Sequence, residues 1–300
     1  PVQAAGSSGN YYLSVYQTAS TDATAAVQFD IAYGNVYGSG STPFNSNLPK
    51  YTPASTTYGQ YRSLILEDEN AQFTFGDGTN TLISDDFWVL SVERARYKES
   101  LFPGTFNLAL SSPTGLINLT DNSNDVLTQT FLGSNRVLQI VSGSNGSAYD
   151  TTGYVAGSGS YGLFLPDIGT ILLNPAAISQ SIEVDTDKNA SLPNGTNQET
   201  LFTAIKSGSA FTLNAQETIT SDYVFVRSRN AEFNYSTNPS FITGSTGQVI
   251  YTEFINSPQV YVTTVGMYND ANELVAVAKL SKPLLKDFTK ESLIRVKLDF

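Results

Sequence analysis

Residues Ser292 to Phe300 read SLIRVKLDF, in which Ile294, Val296, Leu298 and Phe300 alternate with Arg295, Lys297 and Asp299. Successive side chains of a strand point to opposite faces, so this period of two predicts a half-buried terminal β-strand. The stretch closes a longer segment, KLSKPLLKDFTKESLIRVKLDF, that holds six of the chain's sixteen basic residues: Lys279, Lys282, Lys286, Lys290, Arg295 and Lys297. Residues 1–278 carry ten Lys or Arg against 24 Asp or Glu, and residues 279–300 carry six against three, so a basic tip ends a chain of net charge -11.

Working back from this strand, the pattern repeats. PQVYVTTVGMYND and ELVAVAKL flank a short Asn-Asp-Ala-Asn turn and read as a β-hairpin. DYVFVRS, VIYTEFI, DDFWVLSVERARYK, YRSLILED, AVQFDIAYG and YYLSVYQ are runs rich in Tyr, Val, Ile and Phe, bounded by Gly, Ser, Asn or Asp, and predict strands. FPGTFNLALSS reads as a Pro-Gly turn into a strand, and in GTILLNPAAI Pro175 is expected to close one. QETLFTAIKSG is the fair helix candidate, with Leu201, Phe202 and Ile205 on one side and Gly208 as its stop. Charged residues make up only 14% of the chain, against about 25% in an average soluble protein. Such a hydroxyl- and aromatic-rich composition suits strands joined by turns. The expected fold is all-β, mainly antiparallel and sandwich-like, with at most one or two short helices. Gly38–Tyr58, with three prolines and no periodicity, reads as a long arm. The polar stretch 185–200 places a division between a β-rich region, 1–184, and a C-terminal β domain, 185–300, with a short helix and the terminal strand.

The chain contains no His and no Cys. Ser-His-Asp hydrolysis, HExxH proteolysis, thiol chemistry, thiolate zinc sites and disulfides are therefore excluded within it. Carboxylate, Lys and Tyr chemistry remain. No stretch approaches the ~20 apolar residues of a membrane helix. The start, PVQAAGSSGNYYLSVY, lacks a basic region followed by an apolar run, and Pro1 is expected to follow a removed initiator Met. Sequons at Asn118, Asn145, Asn189, Asn194 and Asn234 are expected by chance in so Asn- and Ser-rich a sequence.

Paired carboxylates can hydrolyse glycosides, and Glu67–Glu69, the GDG at 76–78 and Asp85–Asp86 fall within one short region. Adjacent carboxylates on a strand point to opposite faces, and EDEN and GDGTN are turn sequences, which favours solvated turns over catalysis. Asp185, Asp187 and Asn189 match the first ligand positions of a calcium loop, but Ala190 stands where Gly is needed and Thr196 where a bidentate Glu belongs. GSGSYG has neither the GK[ST] ending nor a following helix of a phosphate loop. No catalytic, cofactor or metal residue is expected. An acidic chain with one basic tip lacking interleaved aromatics is poorly suited to nucleic acid. A basic end docking on an acidic neighbour fits the charge better, with Lys on an edge strand guarding against stray pairing as the plainer alternative.

EFNYSTNPSFITGSTGQV, SPQVYVTTVGMYNDANELVAVAKLSKPLLKDFTKESLIRVKLDF and, upstream, WVLSVERARYKESLFPGTFNLALS resemble virion structural proteins of contractile-tailed bacteriophages, especially marine cyanobacterial myoviruses. The segments cover about a third of the chain, and the last 40 residues are the most specific part. The resemblance implies a non-enzymatic structural component of tail, baseplate or neck, assembled in the host cytoplasm. It implies several symmetry-related copies that contact one another and other phage structural proteins, with no nucleic-acid or membrane partner. Lys279, Lys282, Lys286, Lys290, Arg295, Lys297 and Phe300 are then the candidate assembly contacts. The alternatives are a receptor-binding or fibre-attachment module with a cleft of Tyr and Trp88, a carboxylate-dependent glycan hydrolase using Glu67, Asp77 or Asp85, and a capsid decoration or neck protein.

Overall fold

The computed structural model describes residues 3–5, 11–19, 21–41, 47, 51–77, 80–150, 154–155, 157–178, 182, 196–208, 210–236 and 238–300. The protein is mainly β, 44% strand and 15% helix, with four α-helices among the described residues. It divides into two compact units, Pro1–Glu217 and Thr218–Phe300.

Unit 1 begins with β1 (Gln3–Ala5), β2 (Tyr12–Tyr16), β3 (Val27–Asn35), α1 (Pro53–Ile65) and the hairpin β4 (Phe73–Asp77) and β5 (Asn80–Ser84). It continues through β6 (Asp86–Val92), β7 (Ser100–Leu101), β8 (Asn107–Ser112), β9 (Gly115–Asp121), β10 (Thr130–Leu132), β11 (Asn135–Ser144) and β12 (Ser147–Ala148). It ends with β13 (Gly162–Leu165), β14 (Thr170–Leu173), α2 (Pro175–Ile178), α3 (Thr196–Gly208), β15 (Phe211–Thr212) and β16 (Ala215–Gln216). A curled antiparallel sheet runs in the order β1-β2-β3-β6-β14-β13-β11-β9-β8-β15, with β10 and β12 also on β11.

The central strands read FWVL, GLFL and TILL without alternation, because both faces of the sheet are covered. Trp88, Leu90, Phe164, Ile171 and Leu173 face one apolar cluster, closed by Leu201, Ala204 and Ile205 of α3. Phe87, Val89, Leu163, Leu165 and Leu172 face the other, with Tyr58 and Ile65 of α1 and Phe73 and Phe75 of β4. Tyr58 stacks on Phe87 at 5.2 Å between ring centroids. Trp88 is fully buried, and its Nε1 donates to the Asn197 carbonyl at 3.0 Å.

Several expectations are corrected here. The arm at 38–58 does not extend outward where it is described. Gly38–Ser41 is buried, Ser41 Oγ accepts from Ala54 N at 3.0 Å, and Pro53–Tyr58 is the first part of α1. Thr52 caps that helix by accepting from Ser55 N at 3.2 Å, and Pro53 sits in its first turn, where no partner for its missing N–H is required. YRSLI, expected as a strand, is the end of the same helix, and its burial at Ala54, Tyr58 and Ile65 follows helical spacing. Pro175 opens α2. The helix expected within QETLFTAIKSG is present as α3, but it packs in unit 1, which moves the division from 184/185 to 217/218.

Unit 2 contains β17 (Ser221–Ser228), α4 (Thr252–Asn256), β18 (Val260–Tyr268), β19 (Leu274–Lys286) and β20 (Ser292–Asp299). TEFIN, expected as part of a strand, is α4. β17 pairs with β20, and β18 pairs with β19 as the expected hairpin, whose connection includes Asn272 at φ 60. A register shift separates Val262, opposite Leu284, from Thr264, opposite Lys279. Pro283 falls in this irregularity, where no ladder N–H is needed.

Candidate assembly interface

The terminal strand behaves as its alternation requires. β20 pairs antiparallel with β17 from Ser221 opposite Asp299 to Ser228 opposite Ser292. One face of this ribbon carries Val224, Val226, Ile294, Val296 and Leu298, of which Val296 is buried and most others are half-buried. The opposite face places Tyr223 across from Lys297, Phe225 from Arg295 and Arg227 from Leu293, all exposed. The Arg295 guanidinium lies over the Tyr223 ring at 5.4 Å from its centroid, so cation and aromatic form one surface. Phe300 was expected on the apolar face. It lies one residue beyond β20, exposed, with its N–H donating to the Thr220 carbonyl at 2.9 Å.

The basic residues of the tip separate into three groups. Lys279, Lys282 and Arg295 are exposed on strands. Lys297 and Lys290 pair locally, with Asp299 at 2.7 Å and Asp287 at 3.7 Å. The hydrogen bond from Lys297, together with one from Ser221, holds the Asp299 carboxyl below its ordinary range, and the Thr289 hydroxyl acts in the same direction on Asp287. Arg227 pairs with Glu291 at 2.8 Å. These exposed pairs contribute little to stability, on the order of 0–1 kcal/mol each. They do spend part of the tip's charge within the unit.

Lys286 departs most from expectation. It was a candidate contact, but its side chain is fully buried. Its Nζ donates to the carbonyls of Asn230 and Asp287, each at 3.1 Å, and to Asn234 Oδ1 at 2.8 Å. An ammonium has three protons, and all three are used. Asn234, a sequon residue, is equally buried and also donates Nδ2 to the Asn230 carbonyl at 2.7 Å. Lys286 therefore ties the end of β19 to the 230–234 turn and has no free donor for a neighbour. Sequence alternation could not reveal this, because Lys286 sits in a strand whose other lysines are exposed.

Unit 2 has little else to hold it. Among its described residues, Val296 is the single buried hydrophobic side chain, beside Ser228, Asn234 and Lys286. Both apolar clusters consist of unit 1 residues. Fixing each residue's backbone costs about 1–2 kcal/mol, while burial returns about 25 cal/mol per Å2 of apolar surface. A pair of two-stranded ribbons with so little burial is not expected to be stable alone.

The other candidate residues are dispersed. Glu67, at φ 56 in the turn after α1, is exposed and accepts from Ser134 N at 2.9 Å and Ser134 Oγ at 2.6 Å, which hold its carboxyl below the ordinary value. Asp85 is exposed and accepts from Gln72 Nε2 at 2.9 Å. The Asp77 side chain lies outside the described residues, as do Asp185, Asp187 and Asn189. Asp86 is the perturbed carboxylate nearby. Burial raises it despite bonds from Tyr33 and Ser84, and the Tyr33 hydroxyl donates to its Oδ2 at 2.8 Å. Among the described residues no group of three acidic side chains is placed to hold a metal ion, and no helix is long and apolar enough to cross a membrane.

A hollow of about 160 Å3 on unit 1 is bounded by Tyr11, Tyr12, Asp30, Gln60, Tyr61 and Ser91. Burial raises the Asp30 and Tyr61 ionisations, and Asp30 Oδ1 is buried without a hydrogen-bond partner. The cleft expected around Trp88 is replaced by this hollow, since Trp88 belongs to the core.

Compared with known proteins, the chain matches no family model, no curated protein and no solved structure.

Proposed function

We propose that the protein is a structural component of a contractile-tailed phage particle, in the tail or baseplate, and that unit 2 is the part that holds its neighbours. The observation that carries this reading is the nearly coreless unit 2, whose strands turn Tyr223, Phe225, Leu293 and Val277 toward solvent. Apolar side chains left in solvent on a unit with so little core suit surfaces that another protein covers. Its placement on the segment that resembles phage virion proteins supports the particle assignment. The basic tip contributes Lys279, Lys282 and Arg295 to the exposed surface, while Lys286 maintains the fold beneath it.

The test replaces Phe225 and Leu293 by Glu, two exposed side chains whose loss leaves the monomer's few internal contacts intact. Phage particles assembled with this variant are expected to lack it, while isolated protein keeps its Trp88 fluorescence transition. Normal incorporation would refute the assignment of unit 2.

A receptor-binding role is a second reading, favoured by the unit 1 hollow. Aromatic rings beside a carboxyl and an amide suit a sugar ring. Binding to a glycan array that is lost in Tyr61→Ala and Asp30→Ala supports it, and absence of binding removes it.

A further inference from the structure

We propose that the partner covering unit 2 is unit 2 of other copies of the same chain, so that the module acquires its hydrophobic core only by homotypic association. This rests on the assembly reading above and narrows it to one occupant. Three observations point to a second copy.

The first is area. Tyr223, Phe225, Tyr261, Tyr268, Phe288 and Phe300 are each between 50% and 72% exposed. At roughly 150–250 Å2 per aromatic side chain, these six leave about 700 Å2 in solvent. Summed over both ribbons and their ends, this approaches one partner's share of a standard interface, about 800 Å2. Exposed Leu274, Val275, Val277 and Leu293 add to the six.

The second is charge. Residues 218–300 contain eight Lys or Arg and eight Asp or Glu, so unit 2 is neutral and unit 1 carries the whole net charge of -11. A neutral unit 2 has no long-range electrostatic attraction to an acidic surface such as unit 1, and Arg227, Lys290 and Lys297 are already paired within unit 2. Neutral apolar surfaces associate without an electrostatic penalty, whereas acidic bodies repel.

The third is pairing. The β17–β20 and β18–β19 ribbons are each two-stranded, so among the described residues every strand has one unpaired edge. A closed arrangement of identical ribbons pairs such edges and stacks their apolar faces, as symmetric oligomers do.

The full chain, studied by sedimentation velocity from nanomolar to tens of micromolar, is expected to form a discrete oligomer that persists or strengthens in high salt, since apolar burial is not screened. Phe225→Ser and Tyr261→Ser, separately, are expected to weaken association roughly tenfold or more while leaving the Trp88 transition unchanged. Dissociation by salt, or association unaffected by both substitutions, overturns the proposal. A chain that is monomeric at every concentration yet enters particles also overturns it and leaves the assembly reading standing. A monomer that is absent from particles sinks both.

Discussion

Replacing Lys286 by Met isolates the buried ammonium, because Met fills similar space without the charge. The substitution removes three charge-assisted hydrogen bonds, to Asn230 O, Asn234 Oδ1 and Asp287 O. At the low end of the range, about 1.5 kcal/mol each, they total ~4–5 kcal/mol. The ammonium's desolvation cost disappears with it and offsets part of that loss. The bonds to the two carbonyls are only part-buried, so water can replace them, whereas Asn234 Oδ1 is left dry. A net destabilisation of about 2 kcal/mol is expected, confined to unit 2. In a unit of this size that lowers the midpoint by about 8–16 °C. The assay compares two signals on the full chain at matched concentration. The one Trp of the sequence, Trp88, is buried in unit 1 and reports that unit alone, while far-UV circular dichroism reports strands in both. The expected result is an earlier dichroism transition with the fluorescence transition unmoved. If neither signal moves, or both move together, Lys286 is not the tie described here.

Thr52→Ala removes the α1 cap and should cost unit 1 about 1 kcal/mol, read as an earlier Trp88 transition. Gly208→Ala places a Cβ against the Ala109 carbonyl oxygen, too close for any real contact, and should destabilise unit 1 by about 2 kcal/mol. Burial raises Asp30 and Asp86 above the ordinary carboxyl value of 3.8, so the folded protein keeps protons that the unfolded chain has released. Their contribution to stability is greatest below that value and falls as pH rises through the folded-state ionisations. Asp86→Asn, whose amide oxygen still accepts from Tyr33, should therefore stabilise unit 1 at neutral pH and change little near pH ~4, measured by fluorescence melts at both.

Strand character was legible wherever the side chains themselves carried it. SLIRVKLDF alternates because one face of its ribbon is solvated, and FWVL and TILL do not because both faces are covered. The α3 helix was legible from Leu201 and Ile205 in one stripe with Gly208 at the end. The α1 helix was missed because Thr, Ser and Tyr dominate it, and its apolar contacts, Ala54, Tyr58 and Ile65, are separated by polar residues that mask the period. The cap-and-proline start at Thr52-Pro53 was the signal available.

Composition and local pattern by themselves determined that the chain builds sheets, lacks imidazole and thiol chemistry, and ends in a basic strand. Only the tertiary structure decided which side chains meet. Identical lysines in one strand became a buried tie at Lys286 and solvated cations at Lys279 and Lys282, because the 230–234 turn supplies oxygen acceptors to the first alone. Likewise, apolar residues about as frequent in unit 2 as in the chain as a whole remain largely exposed there, since burial depends on what lies across from a face, and residue type fixes only that the face is apolar.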